Sequence, residues 1–177
     1  MSSQKLSSSL LQDDNCGLVV AFARSVDTIV GHAFYRKFHS ATLRRECTWI
    51  TQLVVHGNYR HQKIAQRMIQ TAIGTDCSCA GLVTSHPHAV IALQKAMKAK
   101  VDPVLCELSV GRLFQESGIS YLQNHSLDFT NGHCLVNTLF FVDHEEPQAA
   151  LALIDDWHLG PLLDGHEFVA LIVLPVV

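Results

Sequence analysis

Between residues 47 and 73 the spacing of apolar residues changes from that of a β-strand to that of an α-helix. Residues 47–56 are rich in β-branched and aromatic side chains, which favour strands. From Ile64 to Ile73 apolar residues recur every three or four positions, as on one face of an amphipathic helix. The pattern predicts a strand and a helix joined by a short polar turn, which limits the chain to folds that contain such a unit.

The turn in this unit carries cationic side chains, with the sequence Arg-His-Gln-Lys at residues 60–63. The first N–H groups of a helix have no partner inside the helix and lie at the positive end of its dipole. A turn of this composition therefore suits a bound anion. The alternative interpretation is a solvated turn that only begins the helix, because polar helix starts are common.

The other secondary structure elements indicate the fold class. Strands are predicted at residues 17–23, 29–38, 80–84, 134–142 and 167–174, and helices at 88–98 and from Pro147 onward, the last carrying Leu151, Leu153 and Ile154 with Asp155 and Asp156 near its end. The closely spaced first three strands favour antiparallel pairing, whereas the strand–helix–strand order that follows implies a parallel pair. We therefore predict an α/β fold with a mixed, mostly antiparallel twisted sheet and flanking helices.

The chain length of 177 residues fits one domain. We expect a disordered, Ser-rich tail at residues 1–15 and a single domain at 16–177, made of an N-terminal half (about 17–98) and a C-terminal half (about 99–177). The segment 99–132 has the weakest pattern. A short helix fits residues 103–118, and residues 119–133 look like loop.

Charge and hydropathy exclude two classes of partner. The net charge is −3 and no stretch is strongly basic, so we predict no binding to nucleic acid. The apolar C-terminal run at 168–177 is about half of what a membrane-spanning helix needs, so we predict a buried strand there and no membrane partner.

The cysteines and histidines predict neither disulfides nor a metal site. Several of the six cysteines lie in apolar runs, where a free thiol behaves as a small hydrophobic group, which favours reduced thiols in a cytoplasmic protein. Cys77 and Cys79 have the wrong spacing for a zinc knuckle. His86 and His88 have no third ligand nearby in the sequence, so we predict no bound metal.

Residues 53–69, with the sequence LVVHGNYRHQKIAQRMI, resemble the acetyl-CoA-binding motif of the GCN5-related N-acetyltransferases (GNAT), whose loop has the pattern Arg/Gln-x-x-Gly-x-Gly/Ala. Arg60 occupies the first position and Ala65 the last. Lys63 occupies the position of a glycine, which we expect to be tolerated if its φ is negative. Together with the order of the elements, the resemblance covers roughly residues 17–98.

The resemblance implies acetyl-CoA as co-substrate. In the family the third strand separates from the fourth, the pantetheine arm lies in the gap, and the pyrophosphate lies on the N–H groups of the turn. The cofactor-binding residues implied are Leu53, Val54, Val55, Arg60, His61, Gln62, Lys63, Ile64 and Ala65. The implied reaction is acetyl transfer from acetyl-CoA to an amine of a small molecule or protein, by direct attack in a ternary complex.

Two catalytic positions of the family differ in this chain. Thr51 and Gln52 stand where a carboxylate is common, and Leu93 stands at the position of the usual tyrosine acid. His166 and Glu167 begin the last strand, which borders the acceptor site in the family, so we take them as candidate catalytic residues. Asp143, His144 and Glu145, at the end of the predicted strand 134–142, are further candidates. The alternative for each is a solvated position at a strand end.

The resemblance does not indicate which residues cover the acceptor site. The family's usual first strand and two helices have no counterpart in the residues before Gly17, so residues 99–132 or a second subunit in a homodimer would have to cover the acceptor site. The alternative function is a catalytically weak acyl-CoA-binding or interaction domain that keeps the fold.

Overall fold

The computed structural model describes residues 13–25, 27–123, 125–141 and 143–175. These residues contain one seven-stranded sheet and four α-helices. The strands are β1 (Cys16–Ala23), β2 (Thr28–Ser40), β3 (Arg45–Val55), β4 (Cys79–Thr84), β5 (Ser126–Asp128), β6 (Leu135–Asn137) and β7 (His166–Val173). The helices are α1 (Ile64–Ile73), α2 (Pro87–Met97), α3 (Pro103–Glu116) and α4 (Glu145–Leu151).

The strand order is β1-β2-β3-β4-β7-β6-β5. Only β3 and β4 pair in parallel; the other neighbouring strands are antiparallel in the described part of the chain. The parallel pair follows from α1, which returns the chain to the other end of the sheet between the two strands. The predicted mixed, mostly antiparallel α/β fold is therefore confirmed.

The core packs around Trp49 at the centre of the sheet, where the indole is 1% exposed. Its ring contacts Phe114 of α3 edge to face, with the ring centroids 5.5 Å apart. Gly81 of β4 lies directly beside the indole in the register of the two strands. A Cβ at residue 81 would overlap the Trp49 ring, so only glycine leaves room for this side chain.

β3 contains a β-bulge at the point where it separates from β4. Phe34 of β2 pairs with Gln52 and Tyr35 pairs with Ile50, which leaves Thr51 without a partner in β2. Such an extra residue bends a strand and increases its twist. The pairing of β3 with β4 ends at Ile50 and Leu82, although both strands continue beyond that pair. The two strand ends therefore diverge and leave a gap.

Two predictions in the C-terminal half are wrong. The predicted strand 134–142 is only Leu135–Asn137, because Leu139 has a φ of 54° and cannot continue an extended chain. The predicted helix begins at Glu145 and ends at Leu151, so Pro147 lies within its first turn, where a proline is tolerated. Leu153 and Ile154 lie beyond the helix.

The segment 99–132 is more ordered than its sequence pattern indicates. The short helix is confirmed and has 14 residues. The predicted loop after it contains β5, at one edge of the sheet, and two short 3₁₀ turns, Ser120–Leu122 and Thr130–Gly132. A three-residue strand is too short to show alternation, so only its pairing with β6 reveals it.

The remaining predictions concern the termini, the thiols and the membrane. Residues 1–12 of the predicted tail lie outside the described residues, and Asp13 forms an ion pair with Arg36 of β2 at 2.8 Å. All six cysteines are free thiols. None of the helices among the described residues has both the length and the hydropathy that crossing a membrane requires.

Gly81→Ala should destabilise the fold, because the new methyl group overlaps the Trp49 indole. Overpacking of this kind costs about 1–3 kcal/mol, which urea denaturation can resolve. Gly57→Ala is the matched control, because a Cβ at residue 57 would meet no atom within 4 Å. Equal stability of the two variants would contradict the packing described for Trp49.

Candidate functional site

The diverging ends of β3 and β4 open a groove of about 450 Å³ that runs between the turn before α1 and the start of α2. Its lining residues come from both strands, the turn and both helices. They are Leu53, Val54, Val55, Tyr59, Arg60, His61, Lys63, Ile64, Ala65, Gln66, Thr84, His86, His88, Ala89, Ile91, Ala92 and Lys95. Eight of the nine residues implied as cofactor-binding by the sequence therefore lie together; Gln62 instead donates from Nε2 to the Asn58 carbonyl at 3.4 Å.

The turn has an unusual backbone conformation. His61 and Lys63 have φ values of 60° and 62°, in the left-handed region, on either side of Gln62. The condition for a strain-free lysine at the glycine position, a negative φ, is not met at Lys63, because this residue reverses the chain directly before the first turn of α1. Alternating left- and right-handed residues turn successive N–H groups toward one side, which is how backbone anion sites are built.

Arg60 lies at the mouth of the groove with its guanidinium held from two sides. Nε donates to the Val55 carbonyl at 3.4 Å, and one terminal nitrogen forms an ion pair with Glu146 of α4. His86 Nε2 lies 3.7 Å from the same Glu146 carboxylate. A helix of the C-terminal half therefore contacts the cationic turn across the groove.

Three histidines form a cluster on the same rim of the groove. The rings of His61 and His88 meet edge to face at 5.4 Å, and those of His86 and His88 stack at 5.1 Å. Burial and then the neighbouring His88 lower the pKa of His86. Burial, followed by His61, lowers the pKa of His88. Protonation of His86 and of His88 is therefore disfavoured in this arrangement.

A smaller cavity of about 130 Å³ adjoins the groove. The two share Leu53, Thr84 and Ala89, so the cavity and the groove lie on either side of these residues. Its other lining residues are Ile50, Gln52, Leu82, Val83, Ser85 and Glu167. Most of its polar groups are amide or hydroxyl groups, and Glu167 is the one carboxyl in its lining. This inner cavity is where a polar group could meet the end of a molecule lying in the groove.

Among the residues that line the inner cavity, Glu167 is the one whose side chain can accept or donate a proton near neutral pH. Burial raises the pKa of its carboxyl, while the nearby Thr138 hydroxyl and the imidazoles of His144 and His125 oppose this to a smaller extent. A carboxylate with a raised pKa is a better proton acceptor at neutral pH than an exposed one. Glu167 therefore fits the role of a general base.

The structure separates His166 from Glu167, although the two are adjacent in the sequence. Side chains alternate between the two faces of a strand. Nδ1 of His166 lies 2.8 Å from the Asp164 carbonyl, and its side chain lines neither the groove nor the inner cavity. Only one of the two candidate catalytic residues therefore faces the site.

Two further groups lie near Glu167: Tyr121, which has no signal in the sequence, and His144, a candidate at the end of the predicted strand 134–142. The Tyr121 hydroxyl donates to the carbonyl of Thr51, the bulged residue, at 3.4 Å, and burial together with the Glu167 carboxylate raises the pKa of this phenol. His144 is buried, and both its ring nitrogens lack a hydrogen-bond partner among the described residues. Both come from the C-terminal half, so only the tertiary fold brings them to the site.

The family's acid position in α2 does not face the groove. Leu93 is fully buried in the core. Ala89, Ile91 and Ala92 of the same helix line the groove instead. Gln52 does line the inner cavity, with Oε1 3.2 Å from Nε2 of His32. Within the described residues, no three His, Cys, Asp or Glu side chains are close enough to hold a metal ion.

Comparison with known proteins agrees with this geometry. The model of the acetyltransferase (GNAT) family matches residues 2–89. The chain belongs to the GNAT acetyltransferase family, which confirms the resemblance predicted from the turn. No curated protein matches the chain.

Several solved structures are distantly similar. An aminoglycoside acetyltransferase from an uncultured soil sample is 24% identical, with 40% of this chain and 45% of that chain covered and a TM-score of 0.33. Tetrahymena GCN5 is 12% identical, with 52% of this chain and 57% of that chain covered and a TM-score of 0.37. The Paenibacillus lautus diaminobutyrate acetyltransferase, whose structure is in complex with its substrate and coenzyme A, is 18% identical. The match covers 50% of this chain and 51% of that chain, with a TM-score of 0.33. The chain spans about half the length of each.

Lys63→Gly should stabilise the protein relative to Lys63→Ala, because both variants lose the charge and only glycine relieves the positive φ of 62°. A left-handed conformation costs a non-glycine residue roughly 1–2 kcal/mol, so a difference of about 1 kcal/mol is expected after allowing for the greater freedom of unfolded glycine. Urea denaturation of the two variants measures it. An alanine variant as stable as the glycine variant would contradict the left-handed turn.

Proposed function

We propose that this protein is an acyl-CoA-dependent N-acyltransferase, which transfers the acetyl group of acetyl-CoA to an amine by direct attack. The observation that carries the proposal is that the groove adjoins the inner cavity, and that Glu167 lines this cavity. A long cofactor and a short amine could enter from opposite sides and meet where the two spaces adjoin. Family membership supports the same chemistry.

The groove offers a separate place for each part of the cofactor. The pyrophosphate would lie on the turn, where Arg60, Lys63 and the N–H groups at the start of α1 supply positive charge. The pantetheine arm would lie along Leu53, Val54 and Val55, whose edge toward β4 is not paired with that strand. The thioester would then reach the junction with the inner cavity.

The reaction needs one proton acceptor and one stabilised oxyanion. Glu167 would take the proton of the attacking amine as the new C–N bond forms. An N–H group of β3 beyond the bulge would donate to the carbonyl oxygen as negative charge develops there. The C–S bond then breaks, and the thiolate takes a proton from water. Tyr121 is a poor proton donor in this step, because the pKa of its phenol is raised.

The acceptor would be an amine of a small molecule or of a protein. A cavity of about 130 Å³ has room for the reacting end of such a molecule and not for a large substrate. Free thiols are consistent with a cytoplasmic protein.

The second candidate is a domain that binds acyl-CoA with little catalysis. Three observations favour it: Thr51 and Gln52 are not bases, Leu93 is buried in the core, and Arg60 is already paired with Glu146. Binding without turnover would distinguish this function from the first.

CoA and acetyl-CoA should both raise the melting temperature, because a ligand that binds only the folded state stabilises it. At a CoA concentration a hundredfold above the dissociation constant, the stabilisation is about 2.7 kcal/mol. Differential scanning fluorimetry measures the shift, and Arg60→Ala should reduce it. Absence of any shift, and of any heat of binding at millimolar CoA, would remove both candidate functions.

Glu167→Gln should lower the rate of acetyl transfer by about 10²–10⁴-fold, the usual contribution of a positioned base. The wild-type rate should rise as pH increases through the raised pKa of Glu167, and the variant should lack this rise. A free-thiol assay with a panel of amines between pH 5 and 8 measures both. His166→Gln is the control and should keep the wild-type rate and pH profile.

The raised pKa of Glu167 also predicts the direction in which Glu167→Gln changes the stability of the fold. Because the folded state raises the pKa of Glu167, its favourable contribution is present below the unfolded pKa and is lost as the pH rises through the folded pKa. Glu167→Gln should therefore be at least as stable as the wild type at neutral pH. If the variant were unfolded, the loss of folding would by itself explain the loss of rate. Urea denaturation of the variant therefore accompanies the assay.

A further inference from the structure

The histidine cluster on the rim of the groove is surrounded mainly by positive groups. Arg60 and His61 face it from the turn, Lys95 faces it from α2, and Lys63 lines the same groove. Glu146 of α4 is the one carboxylate that faces it among the described residues, and this carboxylate is already paired with Arg60. An excess of cations therefore lies on one side of the groove.

The three imidazoles differ in the ways they can carry a proton. His86 Nδ1 accepts a hydrogen bond from the His88 backbone N–H at 3.2 Å, so its proton is on Nε2, on the side of Glu146. The ring nitrogens of His61 and His88 make no hydrogen bond with any described residue, and a large part of each side chain remains accessible to solvent although burial covers part of His88. These two rings are free to gain a proton without breaking an existing contact.

We propose that His61 and His88, assisted by the Nε2–H of His86, form a proton-linked phosphate site that gains one proton when it binds the pyrophosphate of the cofactor. This inference rests on the proposed function, since it takes the groove to be the acyl-CoA site. It adds His86 and His88, at the start of α2, to the residues that hold the cofactor, and it makes cofactor affinity depend on pH.

The coupling follows from charge balance. In the free protein, protonation of His88 is opposed by burial first, and then by His61, Lys95 and Arg60. A bound pyrophosphate compensates these charges, competes with Glu146 for Arg60, and makes protonation of the free imidazoles favourable. Because linkage is reciprocal, a lower pH must then strengthen binding of the anion.

Isothermal titration calorimetry at pH 6 and pH 8 tests the proposal, with 3′-dephospho-CoA as the main ligand. Its pyrophosphate diester does not titrate in this range, whereas the 3′-phosphate of CoA does and would obscure the protein's own titration. Uptake of up to one proton per ligand should make binding about three- to tenfold tighter at pH 6. Titrations at pH 7 in two buffers with different heats of ionisation measure this proton uptake without any substitution.

Variants then assign the pH dependence to particular residues. The double variant His61→Gln with His88→Gln should bind with equal affinity at both pH values. His39→Gln is the matched control, because His39 is an exposed histidine on β2, paired with Glu46, and should leave the pH dependence unchanged. Glu146→Gln should tighten binding at pH 8 by releasing Arg60.

Each outcome bears on a separate claim. Pantetheine, which lacks the pyrophosphate, should bind equally at both pH values, and a pH dependence there would overturn the assignment to phosphate. Equal affinities for 3′-dephospho-CoA, or a pH dependence that survives in the double variant, would overturn the proton-linked site while leaving the proposed function intact. Failure of CoA and 3′-dephospho-CoA to bind at either pH would overturn both.

Discussion

The separation of β3 from β4 is the feature on which the rest of the site depends. The bulge at Thr51 ends the parallel pairing after Ile50 and Leu82, so two neighbouring strands diverge within one sheet. The core below the bulge, with Trp49 packed on Gly81 and Phe114, keeps the two strands together there. The gap above it becomes a groove, because α1 and α2 pack on the sheet at either side of it. A straight, fully paired β3 would leave no space for a ligand between the strands.

Electrostatics gives the two ends of this space different chemistry. The outer end is cationic, with Arg60, Lys63 and Lys95 beside three stacked or adjoining imidazoles. The inner end holds a half-buried carboxyl, Glu167, whose pKa is raised by burial. In the proposed function, an anionic cofactor and a basic acceptor would therefore be attracted to opposite ends and would meet near Leu53 and Thr84.

The C-terminal half supplies the groups on which activity would depend. Glu167 comes from β7 and Tyr121 from a short 3₁₀ turn, while Glu146 reaches Arg60 from α4. All the residues that line the groove come from the N-terminal half, which also contains most of the match to the GNAT family model. In the proposed function, cofactor binding and catalysis would therefore be divided between the two halves.

The sequence by itself determined the elements of the first half and the position of the turn, because hydrophobic spacing and helix starts are local signals. It predicted α1 and the parallel pairing of β3 with β4, and the family resemblance of the turn named nine residues, of which eight line one groove. Only the tertiary structure decided the rest. The positive φ of Lys63 depends on how the chain enters α1, the separation of His166 from Glu167 depends on strand alternation, and the short β5 and β6 exist only through their pairing. The contacts of Glu146, Tyr121 and His144 with the site join residues far apart in the chain, and no local pattern records such distances.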